Sequence, residues 1–471
     1  MNHPEAPSTT TTPDEGDTSH LGHGLKVRHL TMMGLGSAIG AGLFLGTGVG
    51  IAKAGPAVLI SYAIAGIIVI AVMRMLGEMG AAIPASGSFS HYARIGIGEW
   101  AGFTLGWLYW FMLIMVLGAE ITGASAIVHS WLPGIPQWVF ALVFVTFFAV
   151  VNLSKVRNFG EFEFWFAAIK VTVIVAFLVI GVLLVFGLLP DTDPVGTTNL
   201  LGEGGFMPNG IAGIAAGLLV VAFAFGGIEI VTIAAAESKN PEQSIASAVR
   251  SVVWRISLFY LGSIAIMVLV LPWDSEDLQS GPFVAVLNEA SLPYVSGFME
   301  LVVVVALLSA FNANVYGTSR MAFALSRDSD GPAWLSKLSA NGVPTNAVLV
   351  SVFFGFVSVL LNWLLPDSLL SILLNAVGAA LLVVWIFIVV AQLRLRRRLE
   401  ADGKLTVKMW GFPYLSWLTL AALGGLILLM LTDADARKQL ISTAILTLVI
   451  AGLSVLNTRR RRAAEAAGIE S

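Results

Sequence analysis

The chain has 471 residues, of which 57% are hydrophobic and 12% are Asp, Glu, Lys or Arg. Soluble globular domains carry about 25% charged residues, so this composition excludes an ordinary soluble fold and points to helices in a bilayer. The absence of cysteine excludes disulfides, iron–sulfur clusters, thiolate metal sites and cysteine nucleophiles, and a net charge of −3 means little until its distribution is known.

Residues 1 to about 24 are rich in Pro, Ser, Thr and Asp, lack apolar periodicity and read as a disordered tail. No small-residue cleavage pattern follows the first apolar stretch, so that stretch is expected to remain as a first span rather than a signal peptide. Apolar runs of about 20 residues are long enough to cross a bilayer. They place twelve helices at 29–52, 57–80, 98–129, 136–154, 162–189, 208–236, 246–271, 294–325, 344–363, 368–391, 410–431 and 439–458. The piece from Pro282 to Leu292 is too short to span and reads as an external re-entrant or surface segment. The expected division is a tail (1–24), a ten-helix core (25–393), a basic loop with two further helices (394–458), and a second tail (459–471).

Lys and Arg set the orientation, because cytoplasmic loops carry them in excess. With the N-terminus inside, 22 of the 26 basic residues fall on the cytoplasmic side, including Arg394 to Arg398 and Arg459 to Arg462. Those two runs read as membrane anchors, not as patches for nucleic acid. Both termini are therefore expected in the cytoplasm, and the chain in the cytoplasmic membrane.

Two spans are interrupted alike. The first reads GLGSAIGAGLFLGTG from Gly34, and the sixth reads AFAFGGIE from Ala222. Each opens one of two successive five-helix blocks (about 29–189 and 208–391), the spacing of an inverted repeat. Glycines within a span leave backbone N–H and C=O groups unpaired, which lipid cannot satisfy, so such breaks belong beside a cavity or a ligand. Free N–H groups suit a carboxylate and unwound carbonyls suit an ammonium. A zwitterion fits both. The alternative is that the glycines are close-packing seams between helices.

Beyond these features, SAIGAGLF (Ser37 to Phe44), RMLGEM (Arg74 to Met79), SGSFSHYA (Ser86 to Ala93), GWLYW (Gly106 to Trp110), FGEFEFWFAAIKV (Phe159 to Val171), FGGIEIVTIAAAES (Phe225 to Ser238) and SRMAFALSRD (Ser319 to Asp328) resemble bacterial amino-acid permeases of the amino acid–polyamine–organocation superfamily. The resemblance runs from about residue 24 to 455. EFEFW, GFMPNG (Gly205 to Gly210) and the run after Glu229 look closest to GABA permeases. It implies an all-α membrane protein of LeuT type, with a 5+5 inverted repeat, broken helices one and six, and proton symport without a cofactor. By the same resemblance the substrate would lie against Ala38, Ile39, Gly40, Ala41 and Gly42. Its carboxylate would meet the N–H groups near Ala41 and Gly42, and its amino group the carbonyls near Ala38, Phe223 and Gly226. The ring of Phe223 or Phe225 would form a lid. Many relatives carry Thr where this chain has Ala41, so a hydroxyl contact there is absent.

Three of the ionisable residues within spans stand out, because a charge there is costly enough to suggest a function. Lys170 sits nine residues beyond Glu161, about 13 Å along a helix, and by resemblance takes the place of sodium in sodium-coupled relatives. Its alternative is snorkelling to the cytoplasmic face. Glu229 follows the second break and would carry a proton or brace the gate. Glu120, in the third span, would pair Lys170, take protons or answer a distant ammonium of the substrate.

One charge crossing 100 mV releases about 2.3 kcal/mol, enough for roughly 50-fold accumulation of a neutral zwitterion. No GxxxxGK[ST] phosphate loop is present. A channel is disfavoured because no TVGYG-like filter occurs. An intramembrane enzyme is disfavoured because no HExxH or Ser/His/Asp set lies in the spans. The expected partners are a small amino acid and membrane lipid, with no nucleic acid and no metal. GABA or a related ω-amino acid leads; an aromatic, proline or small neutral α-amino acid, or exchange instead of symport, is the alternative.

Overall fold

A computed structural model describes residues 39–83, 88–153, 159–202, 204–227, 229, 255–290, 292, 294–339 and 342–466. Every regular element among them is helical. In hydrocarbon each backbone polar group needs a partner from its own segment, which makes helices out of long Leu, Val, Ile and Ala runs.

The first span comprises a four-residue turn α1 (Ala41–Phe44) and α2 (Gly46–Ala54). A 3₁₀ turn over Gly55–Ala57, with Gly55 at φ +63°, leads into α3 (Val58–Ala82). A Cβ on Gly55 would lie 2.4 Å from Pro208 Cγ, so this corner needs glycine both for its angle and for its space. The chain continues through α4 (Ser88–Gly96), α5 (Glu99–Trp131), α6 (Gln137–Leu153), α7 (Phe159–Val185), α8 (Thr198–Leu201) and α9 (Gly210–Ala224). A π-helical stretch over Arg255–Leu261 then opens α10 (Gly262–Val270), followed by α11 (Glu276–Ser280), α12 (Pro282–Glu289) and α13 (Val295–Arg327). The last four are α14 (Thr345–Leu364), α15 (Leu369–Ala401), α16 (Tyr414–Met430) and α17 (Ala434–Ala466). Among the described residues, seven helical stretches are long and apolar enough to cross a membrane, the first of them containing two spans in tandem, and four shorter apolar helices accompany them.

The third span, α5, is the post around which the bundle is built, packing against α4, α6, α13, α14, α15 and α17. Polar cross-links hold its neighbours in register: Asn362 donates to Thr122 Oγ1 at 3.0 Å, Gln137 to Asn362 Oδ1 at 2.7 Å, and Asn152 to Asn312 Oδ1 at 2.8 Å. In lipid such interhelical bonds and small-residue contacts replace the hydrophobic effect as the cement. On one face Lys53 lies 3.9 Å from Asp435. On the other, Arg74 donates to the carbonyl of Lys408 at 2.9 Å, and Arg94 pairs with Asp330.

Three elements differ from the sequence expectation. The tenth span was expected to end at 391, with a basic loop from 394; instead α15 runs on to Ala401. Leu395, Arg396 and Leu399 are buried along one side of the extension, and it stops at Gly403, which takes φ +67°. The 88–96 segment, assigned no helix, forms amphipathic α4 against α5 and α15. The Pro282–Leu292 piece is not a surface segment. Its helix α12 buries Phe283 between Phe44 and Phe177, at ring distances of 5.1 and 4.5 Å.

The extension of α15 places Arg396 against Glu78 of α3, both buried. Glu78 also accepts from Gln392 at 2.8 Å and from the Met409 N–H, and Ser416 donates to Gln392 Oε1 at 3.0 Å. The Arg396 guanidinium lies 5.1 Å from the Phe412 ring. The knot ties α3, α15, the 402–413 segment and α16 together. Removing one partner of such a pair strands a buried charge, so Glu78→Ala is expected to destabilise the protein by about 3–5 kcal/mol. The Glu78→Ala/Arg396→Ala double variant should lose less than the sum of the two singles, measured by thermal unfolding in detergent.

Candidate functional site

At the first glycine-rich stretch the backbone at Gly40 is extended (φ −147°, ψ −146°), and a helical turn begins at Ala41. As the first N–H of that turn, the Ala41 N–H lies outside the turn's own backbone bonds. It donates instead to both carboxylate oxygens of Glu120, each at 3.1 Å. Glu120 projects from α5 and is 3% exposed. A Cβ on Gly40 would fall 2.3 Å from its Oε1, so only glycine lets the carboxylate approach. Gly42 serves a second approach: a Cβ there would lie 2.6 Å from the Ala224 Cα, which sets the first break directly against the second.

Lys170, on α7, is 1% exposed and acts electrostatically on Glu120. The snorkelling alternative does not match that burial. The three groups thus form a series: a peptide N–H, a carboxylate and an ammonium, all withdrawn from water.

At the second break α9 ends at Ala224, and tight turns follow. The Phe225 N–H reaches the Ala222 carbonyl at 3.1 Å and the Gly226 N–H reaches Phe223 at 2.8 Å. Gly227 takes φ +87°, a conformation that favours glycine. The groups freed here are largely satisfied from within. Tyr260 donates to the Ala224 carbonyl at 2.7 Å, and Glu229 Oε2 accepts the Gly227 N–H at 3.1 Å. The other Glu229 oxygen accepts from Trp385 Nε1 at 2.8 Å. Glu229 therefore braces the break against α15. The rest of the expected sixth span, from 230, lies outside the described residues.

Between the breaks is a narrow cavity lined by Gly40, Gly42, Glu120, Phe223, Ala224, Gly226 and Gly227, with Leu113, Val116 and Asn314 completing the wall. Of the expected site residues, Gly40, Gly42, Phe223, Gly226 and Glu120 meet here. Ala41 contributes its N–H through Glu120, and Ile39 is buried without lining the cavity. Ala38 lies outside the described residues. Phe225 turns the other way, into a cluster with Tyr62 and Tyr260 at ring distances of 5.7 and 5.1 Å, so of the two aromatic lids only Phe223 stands at the cavity. Residues two apart at a helix end project to opposite sides, so the two rings cannot both face inward.

Sequence reasoning passed over Asn314, Leu113, Trp385 and Glu78. The signal for Glu78 and Asn314 was available, since each is a strongly polar residue within an apolar run. Leu113 and Trp385 carry no such signal, because both read as ordinary packing.

The amino acid permease family model matches residues 29–465. The chain is 60% identical to the aromatic amino acid transport protein AroP of Corynebacterium glutamicum, over 90% of this chain and 93% of that one. It is 44% identical to the gamma-aminobutyric acid permease of Bacillus subtilis, over 94% and 95%, and 40% identical to AroP of Escherichia coli K12, over 87% and 90%. The crystal structure of the Eremococcus coleocola manganese transporter superposes with a TM-score of 0.53 at 14% identity, covering 92% of this chain and 94% of that one; the likeness is one of fold, the LeuT type.

The brace at the second break is open to test. Trp385→Phe keeps the packing but strands one buried carboxylate oxygen of Glu229, an expected loss of about 1–3 kcal/mol. Unchanged thermal stability in detergent would deny Glu229 a bracing role.

Proposed function

This chain belongs to the amino acid permease family, and on that premise we propose that it imports an aromatic amino acid across the cytoplasmic membrane by proton symport. The observation that carries the reading is the Glu120 carboxylate seated on the Ala41 N–H beside Lys170. A substrate carboxylate arriving at the first break needs that N–H. It displaces Glu120, whose charge then loses its hydrogen-bond partner in a low-dielectric site, where an unpaired charge is strongly disfavoured. Glu120 regains a favourable state by taking a proton from the external side or by closing on Lys170. Only the first route moves a proton, and through it substrate binding and proton uptake are coupled at one carboxylate. On opening inward, the substrate leaves, Glu120 releases its proton and returns to Ala41. One proton and one zwitterion enter per cycle.

In this reading Lys170 and Glu120 handle the proton, Glu229 holds the second break, and Phe223 closes over the substrate. No cofactor takes part, and both termini lie in the cytoplasm, as the distribution of Lys and Arg suggests. Aromatic substrates take precedence over GABA because the aromatic permease of C. glutamicum shares 60% of its residues with this chain and the GABA permease of B. subtilis 44%. The apolar wall of Leu113, Val116 and Phe223 also suits a ring. GABA is the second reading, favoured by the relatives that carry that name.

Uptake of labelled phenylalanine, tyrosine and GABA into proteoliposomes under an imposed inward proton gradient tests this. Accumulation of an aromatic amino acid that collapses with a protonophore is expected; uptake confined to GABA would transfer the role to the second reading. Lys170→Ala should abolish gradient-driven uptake, and Glu120→Gln should leave gradient-independent exchange while removing most of its pH dependence. Uptake by both variants with unaltered pH dependence would remove the coupling assignment.

A further inference from the structure

The structure assigns Asn314 the task of reading a hydroxyl on the ring of an aromatic substrate, so that tyrosine is preferred over phenylalanine; this rests on the aromatic reading above. Asn314 lies in the middle of α13, is 6% exposed and lines the cavity between the breaks. Its backbone carbonyl accepts from Thr318 Oγ1, but its amide has no hydrogen-bond partner among the described residues. Other buried amides in the bundle do have partners: those of Asn152, Asn362 and Gln392 all bond across helices. Asn314 lines open space instead of being sealed in the bundle, so a group that enters the cavity can meet its amide.

The neighbours decide what that something is. The adjoining wall is Leu113, Val116 and Phe223, which offers no charge and no second polar group to a substrate side chain. Glu120, the other polar lining residue, is committed to Ala41 and Lys170. The side-chain end of the pocket is therefore apolar with one neutral reader, which both donates and accepts. A phenol hydroxyl also does both. A distal ammonium brings three donors and a full charge, for which a single amide oxygen is a poor match. A bare phenyl ring leaves the amide unpaired.

The test uses the full chain in proteoliposomes, comparing wild type with Asn314→Leu and Asn314→Gln for initial-rate uptake of labelled tyrosine and phenylalanine. Wild type is expected to show an apparent KM for tyrosine about tenfold below that for phenylalanine, a discrimination in the range of one hydrogen bond. Asn314→Leu should raise the tyrosine KM about tenfold more than the phenylalanine KM, which removes the preference. A monodisperse elution profile in detergent, matching wild type, is the control that the variant folds. Asn314→Gln should recover part of the preference. Equal effects on both substrates, or none on either, would overturn the assignment of Asn314 while leaving the aromatic reading intact. Wild type that transports GABA and neither aromatic amino acid would overturn both.

Discussion

The hydrogen bond from the Ala41 N–H to Glu120 is the interaction around which the centre of the molecule is arranged. Lipid and a close-packed bundle offer a broken helix no water, so the first free N–H must find an acceptor from another span. Glu120 supplies it, and the rest follows as a set of requirements. Residue 40 must lack a Cβ, α5 must run close beside the break, and Lys170 must stand near enough to balance the carboxylate. The bond is also provisional in its chemistry, because a ligand carboxylate offers the same pair of oxygens.

The two breaks are finished differently. At the second, Glu229 of the break itself and Tyr260 of a neighbouring helix satisfy the freed groups, and Trp385 of α15 holds Glu229 in place. At the first, the acceptor is a single side chain with an alternative partner close by. One half of the centre thus holds its geometry while the other can exchange partners, and the close approach of Gly42 to Ala224 makes the two halves respond to each other. Gly378 reinforces the fixed half: a Cβ there would overlap the Leu219 carbonyl, so α15 and α9 touch backbone to backbone.

Much of this was legible in the order of residues. The spans from 57 to 80, 98 to 129, 136 to 154 and 344 to 363 were recovered within two or three residues, because hydropathy alone decides where a chain enters and leaves a bilayer. The glycines of the first and sixth spans were read as breaks that belong beside a cavity or a ligand, and Gly40, Gly42, Gly226 and Gly227 do line a cavity. Side-chain direction was not legible. Nothing in the string AFAF tells which of Phe223 and Phe225 turns inward, since that depends on the turn beyond Ala224. The continuation of α15 was hidden because Arg394 to Arg398 looks like a loop when charges are merely counted. It becomes a helix once Arg396 has Glu78, more than three hundred residues earlier, to bury itself against.

That long-range pairing bears on how the molecule can move. Glu78, Arg396, Gln392 and Ser416 fasten α3 to the C-terminal part of α15, about three turns along from the Trp385–Glu229 bond. A gate that opened by prising α3 from α15 at this level would have to separate a buried ion pair in a medium that cannot solvate either half. A rotation that carries the two helices together leaves the pair intact and delivers its displacement to the turn after Ala224. The knot therefore selects which of the geometrically available motions the transporter can use, and it does so from a point well removed from the cavity.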